Sequence, residues 1–328
     1  MSGSRRALPL LAVLCAALAA ASASVGPSGV TPLTLLASNV EPQALLILAE
    51  IRLPRMLLGL LVGASLGLSG AALQGLLRNP LADPGLLGIS GSAAFGAVVA
   101  FYFGLGAATA LAVPLGGLAG AAVGMTILVT VAGRGASTLM LILAGLAVSS
   151  IAAAATALAL NLSPNPFALA EIVFWLMGSL QDRSMDQALL ALPFAVVGCG
   201  LLLSTARGLD ALSLGEEAAE TLGVSPTALR WRVVAGSALA VGGTVAVTGA
   251  VGFVGLVVPH LLRPLVGHRP GPLLAASAVG GAVLVLTADV LVRLVPAPQE
   301  IKLGVATALV GAPFFLHLVL RRRHEVTP

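Results

Sequence analysis

Hydrophobic residues fall into ten long runs along this chain, and the short segments between the runs hold most of its polar and charged residues. A helix needs about 20 mostly apolar residues to cross the roughly 30 Å hydrocarbon core of a bilayer, and each run has about that length. The pattern predicts an all-α, polytopic membrane protein with a single membrane-spanning domain over residues 1–328. The predicted transmembrane helices are residues 7–25, 56–77, 85–104, 108–132, 139–160, 187–205, 231–250, 251–267, 272–295 and 303–320.

Composition excludes a water-soluble domain. Hydrophobic residues make up 58% of the chain and charged residues 9%, with a mean hydropathy of +1.05. Soluble domains average about 45–50% apolar and about 25% charged residues. The 39 glycines suit close packing of helices in lipid, because small residues let two backbones approach each other.

Two of the ten runs allow a second interpretation. Arg5, Arg6, the apolar stretch after them and the small residues ASAS at 21–24 are also typical of a cleaved signal peptide, and cleavage would leave nine spans. The run 251–267 is short and contains a Pro-His pair, which predicts a broken or partly interfacial helix.

The positions of the basic residues predict the orientation of the bundle, because short cytoplasmic loops collect Lys and Arg. With the N- and C-termini in the cytoplasm, twelve of the 17 basic residues lie on that side. These twelve are Arg5, Arg6, Arg78, Arg134, Arg207, Arg230, Arg232, Arg263, Arg269, Arg321, Arg322 and Arg323. The exceptions on the outer side are Arg52, Arg55, Arg183, Arg293 and Lys302.

The stretch SLGEEAAETLG at 213–223 concentrates scarce charge in the longest connection on the predicted cytoplasmic side. Glu216 and Glu220 are four residues apart, so they share one face of a helix. The residues predicted to rest on the membrane domain are Leu214, Ala218 and Leu222. The stretch is either a solvated face that keeps a loop soluble or a docking helix for a cytoplasmic partner.

The same stretch carries signals for both ends of a short helix. Ser213 and Glu216 have the spacing of a capping box, and Gly223 can end the helix. The Ser-Pro pair at 225–226 is typical of the cap and first position of the next helix.

Four stretches of the chain carry a family resemblance. In chain order they are RLPRMLLGLLVGASLGLSGAALQGLLRNPLADPGLLGISGSAAFGA from Arg52, LGEEAAETLGV from Leu214, GFVGLVVPHLLRPLVGHRPGPLLAASAVGGAVLVLTADVLVR from Gly252 and PQEIKLGVATALVGAPFFLHLVLRR from Pro298. In order and spacing they are similar to the permease subunits of ATP-binding-cassette importers for iron-siderophores, haem and cobalamin, often called the FecCD type. The resemblance covers most of the chain from Arg52 onward.

The resemblance implies the partners of the chain. Two permeases, either two copies or a copy and a paralogue, would pair around a central path in the cytoplasmic membrane. Two ATPase subunits would dock on short cytoplasmic helices, and a solute-binding protein would dock outside. The residues that match the ATPase-coupling helix are Ser213, Gly215, Glu216, Glu217, Glu220 and Gly223.

Three of the outer arginines lie at positions that match those where the family's permeases contact the binding protein. Arginines at a membrane edge often extend to lipid head groups, but the resemblance implies that Arg52, Arg55 and Arg293 receive glutamates of the binding protein. The planar guanidinium suits this role because it can hold a carboxylate through two parallel hydrogen bonds. Asp289, four residues before Arg293, could instead form a structural ion pair with it.

The substrate implied by the resemblance is a ferric siderophore, with haem or cobalamin as alternatives. Selectivity would reside mainly in the binding protein, so the permease sequence alone does not name the substrate. We expect no metal or other cofactor bound by this chain and no nucleic-acid partner; ATP and Mg²⁺ would be used by the partner ATPase. Cys15 and Cys199 supply neither a disulfide framework nor metal-ligand spacing.

Two departures from the family pattern are small. The family commonly has a Leu-Pro pair where this chain has Ile301 and Lys302, and an acidic residue near the position of His268. Neither departure alters the expected fold, although Lys302 changes the local outer surface.

Two similar sequence stretches indicate that the chain consists of two related halves. SGAALQGLLRNP from Ser69 and TGAVGFVGLVVPHLLRP from Thr248 both follow glycine-rich runs and end in a proline-bearing exit. Five spans in each half would invert one half relative to the other across the membrane, a repeat design known in transporters.

The sole lysine, Lys302, lies in QEIKLG, so the chain has no phosphate-binding loop and does not hydrolyse ATP itself.

Two other functional classes remain as alternatives. An intramembrane serine protease would use Ser90 of GISG with His260 or His317 as base. An ion-coupled secondary transporter would need carboxylates at membrane depth, for which Asp289 is the candidate.

Overall fold

The structure is a computed structural model that describes residues 2–26, 28–36, 41–133, 136–163, 166–296 and 299–326. The α-helices of the described residues are α1 (Ser2–Ser24), α2 (Pro42–Leu46), α3 (Leu53–Leu76), α4 (Ile89–Tyr102), α5 (Ala112–Ala132), α6 (Thr138–Asn161), α7 (Pro166–Leu176), α8 (Met185–Ser204), α9 (Ala206–Leu212), α10 (Glu216–Thr221), α11 (Pro226–Thr248), α12 (Val254–Val266), α13 (Pro270–Leu294) and α14 (Leu303–Val326). Arg134 and Pro298 lie outside the described residues, as do the side chains of Arg5, Arg6 and Arg321 to Arg323.

Each predicted transmembrane segment overlaps one helix of the structure. By length and composition, seven helices among the described residues could cross a membrane, and three shorter apolar helices account for the other segments. The shorter ones are Ile89–Tyr102, Val254–Val266 and Leu303–Leu318. Two helical segments of the structure were not predicted: α7, and the stretch Pro42–Leu46 with the π-helical turn Ile47–Arg52, which continues directly into α3. That the ten helices cross a bilayer stays a prediction.

Helices α3 and α13 pack antiparallel at the centre of the molecule, where glycines bring their backbones into contact. A Cβ atom added to Gly63 would overlap the carbonyl oxygen of Gly281, and one added to Gly67 would overlap that of Ser277. Small residues permit this approach, as expected for helices packed in lipid. The N-terminal end of α3 therefore lies beside the C-terminal end of α13.

The connection 77–88 before α4 and the connection 249–253 before α12 fold back into the middle of the bundle. The backbone of Gly255 in α12 packs against Gly70 of α3, and Pro84 from the first connection reaches the same point. Both helices start after a residue with positive φ, at Gly88 (+74°) and Phe253 (+66°). With 14 and 13 residues, α4 and α12 are each about 20 Å long, which is too short to cross a 30 Å core.

The buried side chain of Gln74 holds the two connections together. Its Nε2 donates to the carbonyl oxygens of Ala82 (3.3 Å) and Gly255 (3.2 Å), and its Oε1 accepts a hydrogen bond from Arg263 Nη2 (2.7 Å). The run 251–267 forms one short α12 that continues through Pro259 and Pro264, so the helix is not broken at the Pro-His pair; a partly interfacial position stays a prediction. Helices α4 and α12 run to opposite ends of the bundle, as inverted halves require, although inversion of the halves as wholes stays a prediction.

Candidate functional site

The charged stretch forms α10, a helix with a well-formed C-terminal end. Gly215 precedes it with φ +119°, a value that favours glycine. At its end, the Gly223 N–H donates to the Glu220 carbonyl oxygen at 2.9 Å and the Val224 N–H donates to the Ala219 carbonyl oxygen at 2.9 Å. These two bonds, with Gly223 at φ +78°, form a Schellman motif. The predicted helix end at Gly223 is confirmed.

The predicted capping box at the start of α10 is wrong. Ser213 belongs to the end of α9, where its hydroxyl donates to the Asp210 carbonyl oxygen at 2.6 Å. Its oxygen therefore does not cap α10, because the chain turns at Gly215 before the helix starts. The next cap is confirmed, since Ser225 Oγ accepts a hydrogen bond from the Ala228 N–H at 3.3 Å, with Pro226 at the first position of α11.

The predicted apolar contact face of α10 is also wrong. Ala219 is fully buried, whereas Leu214 and Leu222 are 71% and 64% exposed. Because the helix is only 6 residues long, one small side chain suffices to seat it on the domain. The exposed face of this region therefore combines two leucines with Glu217 and Glu220.

Glu216 ties α10 to the membrane domain. Its Oε1 lies 3.3 Å from Nη2 of Arg230 in the first turns of α11, and Arg230 Nη1 donates to the Ala136 carbonyl oxygen at 2.5 Å. The arginine is buried while the glutamate is half exposed, so the pair fixes the orientation of α10 more than it adds stability.

Asp210 links the same region to α13. Its Oδ1 accepts a hydrogen bond from the Gly271 N–H at 2.8 Å, and its Oδ2 lies 2.7 Å from Arg269 Nη2. The carboxylate of α9 thus caps the N-terminus of α13, where negative charge is favoured.

At the opposite end of α3 and α13 lies a cluster of five charged residues, which we call the arginine cluster. Its members are Arg52, Arg55, Asp289, Arg293 and Glu300. Arg55 Nε donates to Asp289 Oδ1 at 2.9 Å. The two terminal nitrogens of Arg55 bind the two carboxylate oxygens of Glu300, with a distance of 3.1 Å from Nη1 to Oε2. Arg55 is therefore shared between a buried and a part-exposed carboxylate.

The predicted ion pair between Asp289 and Arg293 is present. Arg293 Nη2 lies 2.7 Å from Asp289 Oδ2, although that oxygen accepts no hydrogen bond from a described residue, so the contact is one of charge alone. The guanidinium also donates to the carbonyl oxygens of Ser22 and Val25, both at 2.9 Å. These bonds attach the C-terminal end of α1 to α13.

Arg52 completes the cluster without a carboxylate partner among the described contacts. Its Nη2 donates to Ser28 Oγ at 3.0 Å and its Nη1 to the Ala23 carbonyl oxygen at 3.5 Å. A cavity of about 600 Å³ opens beside the cluster, and all three arginines and Glu300 line it. The cavity therefore has an excess of positive charge.

The three arginines are less accessible than a simple docking surface would require. Arg52 and Arg55 are 4% and 9% exposed, and the Arg293 side chain is 7% exposed. The side chain of Glu300, at 21%, is more exposed than those of Arg55 or Asp289. These side chains do not extend outward as head-group anchors would, because Arg55 and Arg293 bind carboxylates of the cluster and Arg52 and Arg293 bind residues 22–28. Docking of a binding protein here stays a prediction.

The remaining candidates lie elsewhere in the bundle. Lys302 Nζ donates to Gln181 Oε1 at 3.3 Å and sits 5.7 Å from the centre of the Phe174 ring. Ser90 lies in the first turn of α4, which packs mainly on α5 and α6, whereas the His260 ring packs against Phe314 of α14. The helices that carry Ser90 and His260 thus pack on different parts of the bundle.

Comparison with known proteins assigns the family. The profile of the FecCD transport family matches residues 9–321. The chain belongs to the FecCD transport family.

Relatives of this FecCD family member match it over most of its length. The hemin transport system permease protein HmuU of Yersinia pestis is 40% identical over 325 residues, which cover 98% of this chain and 97% of that protein. The Fe(3+) dicitrate transport system permease protein FecD of Escherichia coli is 38% identical over 278 residues, 84% of this chain and 86% of that protein. A solved structure described as an inward-facing metal-chelate type ABC transporter superposes with a TM-score of 0.86 at 33% identity, covering 97% of this chain and 99% of that one.

Four residues of this FecCD permease were overlooked as site residues. Asp210, Arg230 and Glu300 bind partners far away in the sequence, and Gln74 joins the connection before α4 to the start of α12. For Gln74 the sequence held a signal, because a glutamine within an otherwise apolar stretch is costly unless it finds partners.

Proposed function

We propose that this chain is the permease subunit of an ATP-driven importer that moves a ferric siderophore across the cytoplasmic membrane. It would act with a second permease, two ATPase subunits and an extracytoplasmic solute-binding protein. The observation that carries the proposal is the placement of α10 and the arginine cluster at opposite ends of the central pair α3 and α13, about 36 Å apart along a helix of 24 residues.

The end that carries α10 suits a partner that supplies motion. The surface of this end is formed by α10, whose C-terminal end is capped at Gly223 and which Glu216 secures to α11. The residues proposed to contact the ATPase are Ser213, Gly215, Glu217, Glu220 and Gly223. Asp210 connects the same region to α13. A displacement of α10 by an ATPase would therefore reach a helix whose far end carries Asp289 and Arg293.

The arginine cluster suits a partner that brings carboxylates. Three guanidinium groups face two carboxylates, and the adjoining cavity is large enough for acidic side chains. Such complementarity mainly steers encounter and fixes register. In this proposal Arg52, Arg55 and Arg293 are the docking residues.

Iron complexes are supported as cargo by the names of two of the proteins that this chain resembles, a ferric dicitrate permease and a metal-chelate type transporter. Haem is the second candidate, since the hemin permease of Yersinia pestis matches 98% of this chain. Cobalamin is the third candidate substrate.

Uptake measurements distinguish these substrates. A strain that lacks the permease gene, with and without a plasmid copy, is given a radiolabelled ferric siderophore, haem or cobalamin, and ligands of the cognate binding protein are identified by mass spectrometry. We expect ATP-dependent uptake of the ferric siderophore to be lost in the deletion and restored by the plasmid. Uptake that continues without ATP but follows the proton gradient would show a secondary transporter instead.

A further inference from the structure

Glu300 occupies the end of the Arg55 guanidinium, next to the edge that binds the buried carboxylate of Asp289. Asp289 Oδ1 lies 2.9 Å from both Nε and Nη2 of Arg55, and Asp289 is 1% exposed. The neighbouring edge, formed by Nη1 and Nη2, carries both oxygens of Glu300, so the two carboxylates share Nη2. A guanidinium offers few such two-point edges for a carboxylate. Any carboxylate that approaches Arg55 from the cavity must therefore use the edge that Glu300 holds.

The position of Glu300 in the chain allows it to be replaced. It lies outside the helices, shortly before α14 begins at Leu303, and it lines the cavity with a part-exposed side chain. Asp289, in contrast, is buried within α13 and is contacted by both Arg55 and Arg293. Of the two carboxylates on Arg55, Glu300 is the one that can leave without uncovering a buried charge.

We propose that Glu300 is an internal stand-in for a carboxylate of the solute-binding protein, and that docking replaces Glu300 on Arg55. This inference rests on the proposed function of the arginine cluster as the docking site. The replacement exchanges one carboxylate for another on the same guanidinium, so it leaves no arginine unpaired. Glu300 thereby lowers the affinity of the permease for its binding protein, and its removal strengthens docking.

Competition and a structural role predict opposite changes in docking affinity when Glu300 is lost. If Glu300 only supported the fold, its loss would weaken docking. If it competes, Glu300→Gln frees the outer edge of Arg55 while Asp289 still orients the guanidinium. The amide keeps the size of the side chain and one acceptor oxygen, so the local packing is retained.

The test uses the permease with its ATPase subunits in nanodiscs and measures the Kd of the cognate binding protein at low salt. We expect Glu300→Gln to lower the Kd about threefold to tenfold, the range for a part-exposed charge pair. The matched control is Glu50→Gln, because Glu50 is exposed, lies two residues before Arg52 and is outside the cluster. The control removes the same charge at the same end and should leave the Kd unchanged.

A second measurement needs no partner. Phenylglyoxal modifies accessible arginines, and mass spectrometry reads the rate at Arg55; we expect about a threefold faster reaction in Glu300→Gln than in the wild type or Glu50→Gln, on the same reasoning. If the wild type binds and Glu300→Gln is not tighter, or if Arg55 gains no reactivity, the stand-in role is refuted while docking remains. If the wild type does not bind the cognate binding protein, the proposed docking function itself fails.

Discussion

Asp210 and Gly271 lie 61 residues apart in the chain and are joined by a hydrogen bond of 2.8 Å from the Gly271 N–H to Asp210 Oδ1. The bond places a carboxylate from α9 at the N-terminus of α13, a helix that runs the length of the bundle to Asp289 and Arg293. Helices α9 and α10 are therefore connected to the arginine cluster through one rigid element. This relationship suggests where coupling can be interrupted without touching either end.

Asp210→Ala should uncouple α10 from the arginine cluster at the other end of α13. Loss of the cap should lower the free energy of unfolding by about 1 kcal/mol and reduce ATP-driven uptake, with binding-protein affinity unchanged. Asp210→Asn is the matched control, because its amide oxygen can still accept from Gly271, and the ion pair that it loses involves an Arg269 side chain that is 77% exposed. Equal defects in thermal stability and uptake for both variants would contradict a role for the cap.

Gly223→Pro should detach the ATPase. The substitution removes the N–H that binds Glu220 and cannot adopt φ +78°, so the end of α10 is lost. Glu217→Arg should weaken the same association by reversing an exposed charge on the helix. Co-purification of the ATPase with each permease variant measures the effect. Glu50→Arg, at the other end of the bundle, should leave the association intact. If both α10 variants co-purify with the ATPase as well as the wild type does, the stretch 213–223 is only a solvated loop.

The orientation predicted from the basic residues can be tested by labelling single cysteines in a background that lacks Cys15 and Cys199. A cysteine in place of Leu222, which is 64% exposed, should resist an impermeant maleimide in intact cells and react in inverted vesicles. A cysteine in place of Glu50 should show the reverse pattern. Ala219 is a poor site for this probe because it is fully buried. Ready labelling of the Leu222 position in intact cells would overturn the orientation.

Gly63→Leu should destabilise the protein by forcing α3 and α13 apart. Any side chain at Gly63 overlaps the backbone of Gly281 and Ala282, which cannot move aside as a side-chain end could. Overpacking of this kind typically costs about 1–3 kcal/mol. Gly200→Leu on α8 is the control, since a Cβ there meets no atom within 4 Å and the change should stay within about 0.5 kcal/mol. Equal thermal stability of the two variants would show that the two backbones are not in close contact.

The sequence alone determined the features that depend on local composition. Apolar runs long enough to span a bilayer fixed the number and approximate positions of the principal helices, because the required length is set by the membrane. Local turn chemistry likewise predicted the helix end at Gly223 and the cap at Ser225, since both involve bonds within a few residues.

Only the tertiary structure decided which side chains from distant parts of the chain meet. Glu300 binds Arg55 across 245 residues and Gln74 binds Gly255 across 181, and no local pattern specifies such partners. The capping box failed because a turn at Gly215 assigned Ser213 to the preceding helix. The predicted apolar face of α10 failed because a short helix is oriented by its anchors, the buried Ala219 and the pair between Glu216 and Arg230, more than by its own periodicity. Periodicity gives the shape of an element, whereas contacts between distant elements decide which face it buries.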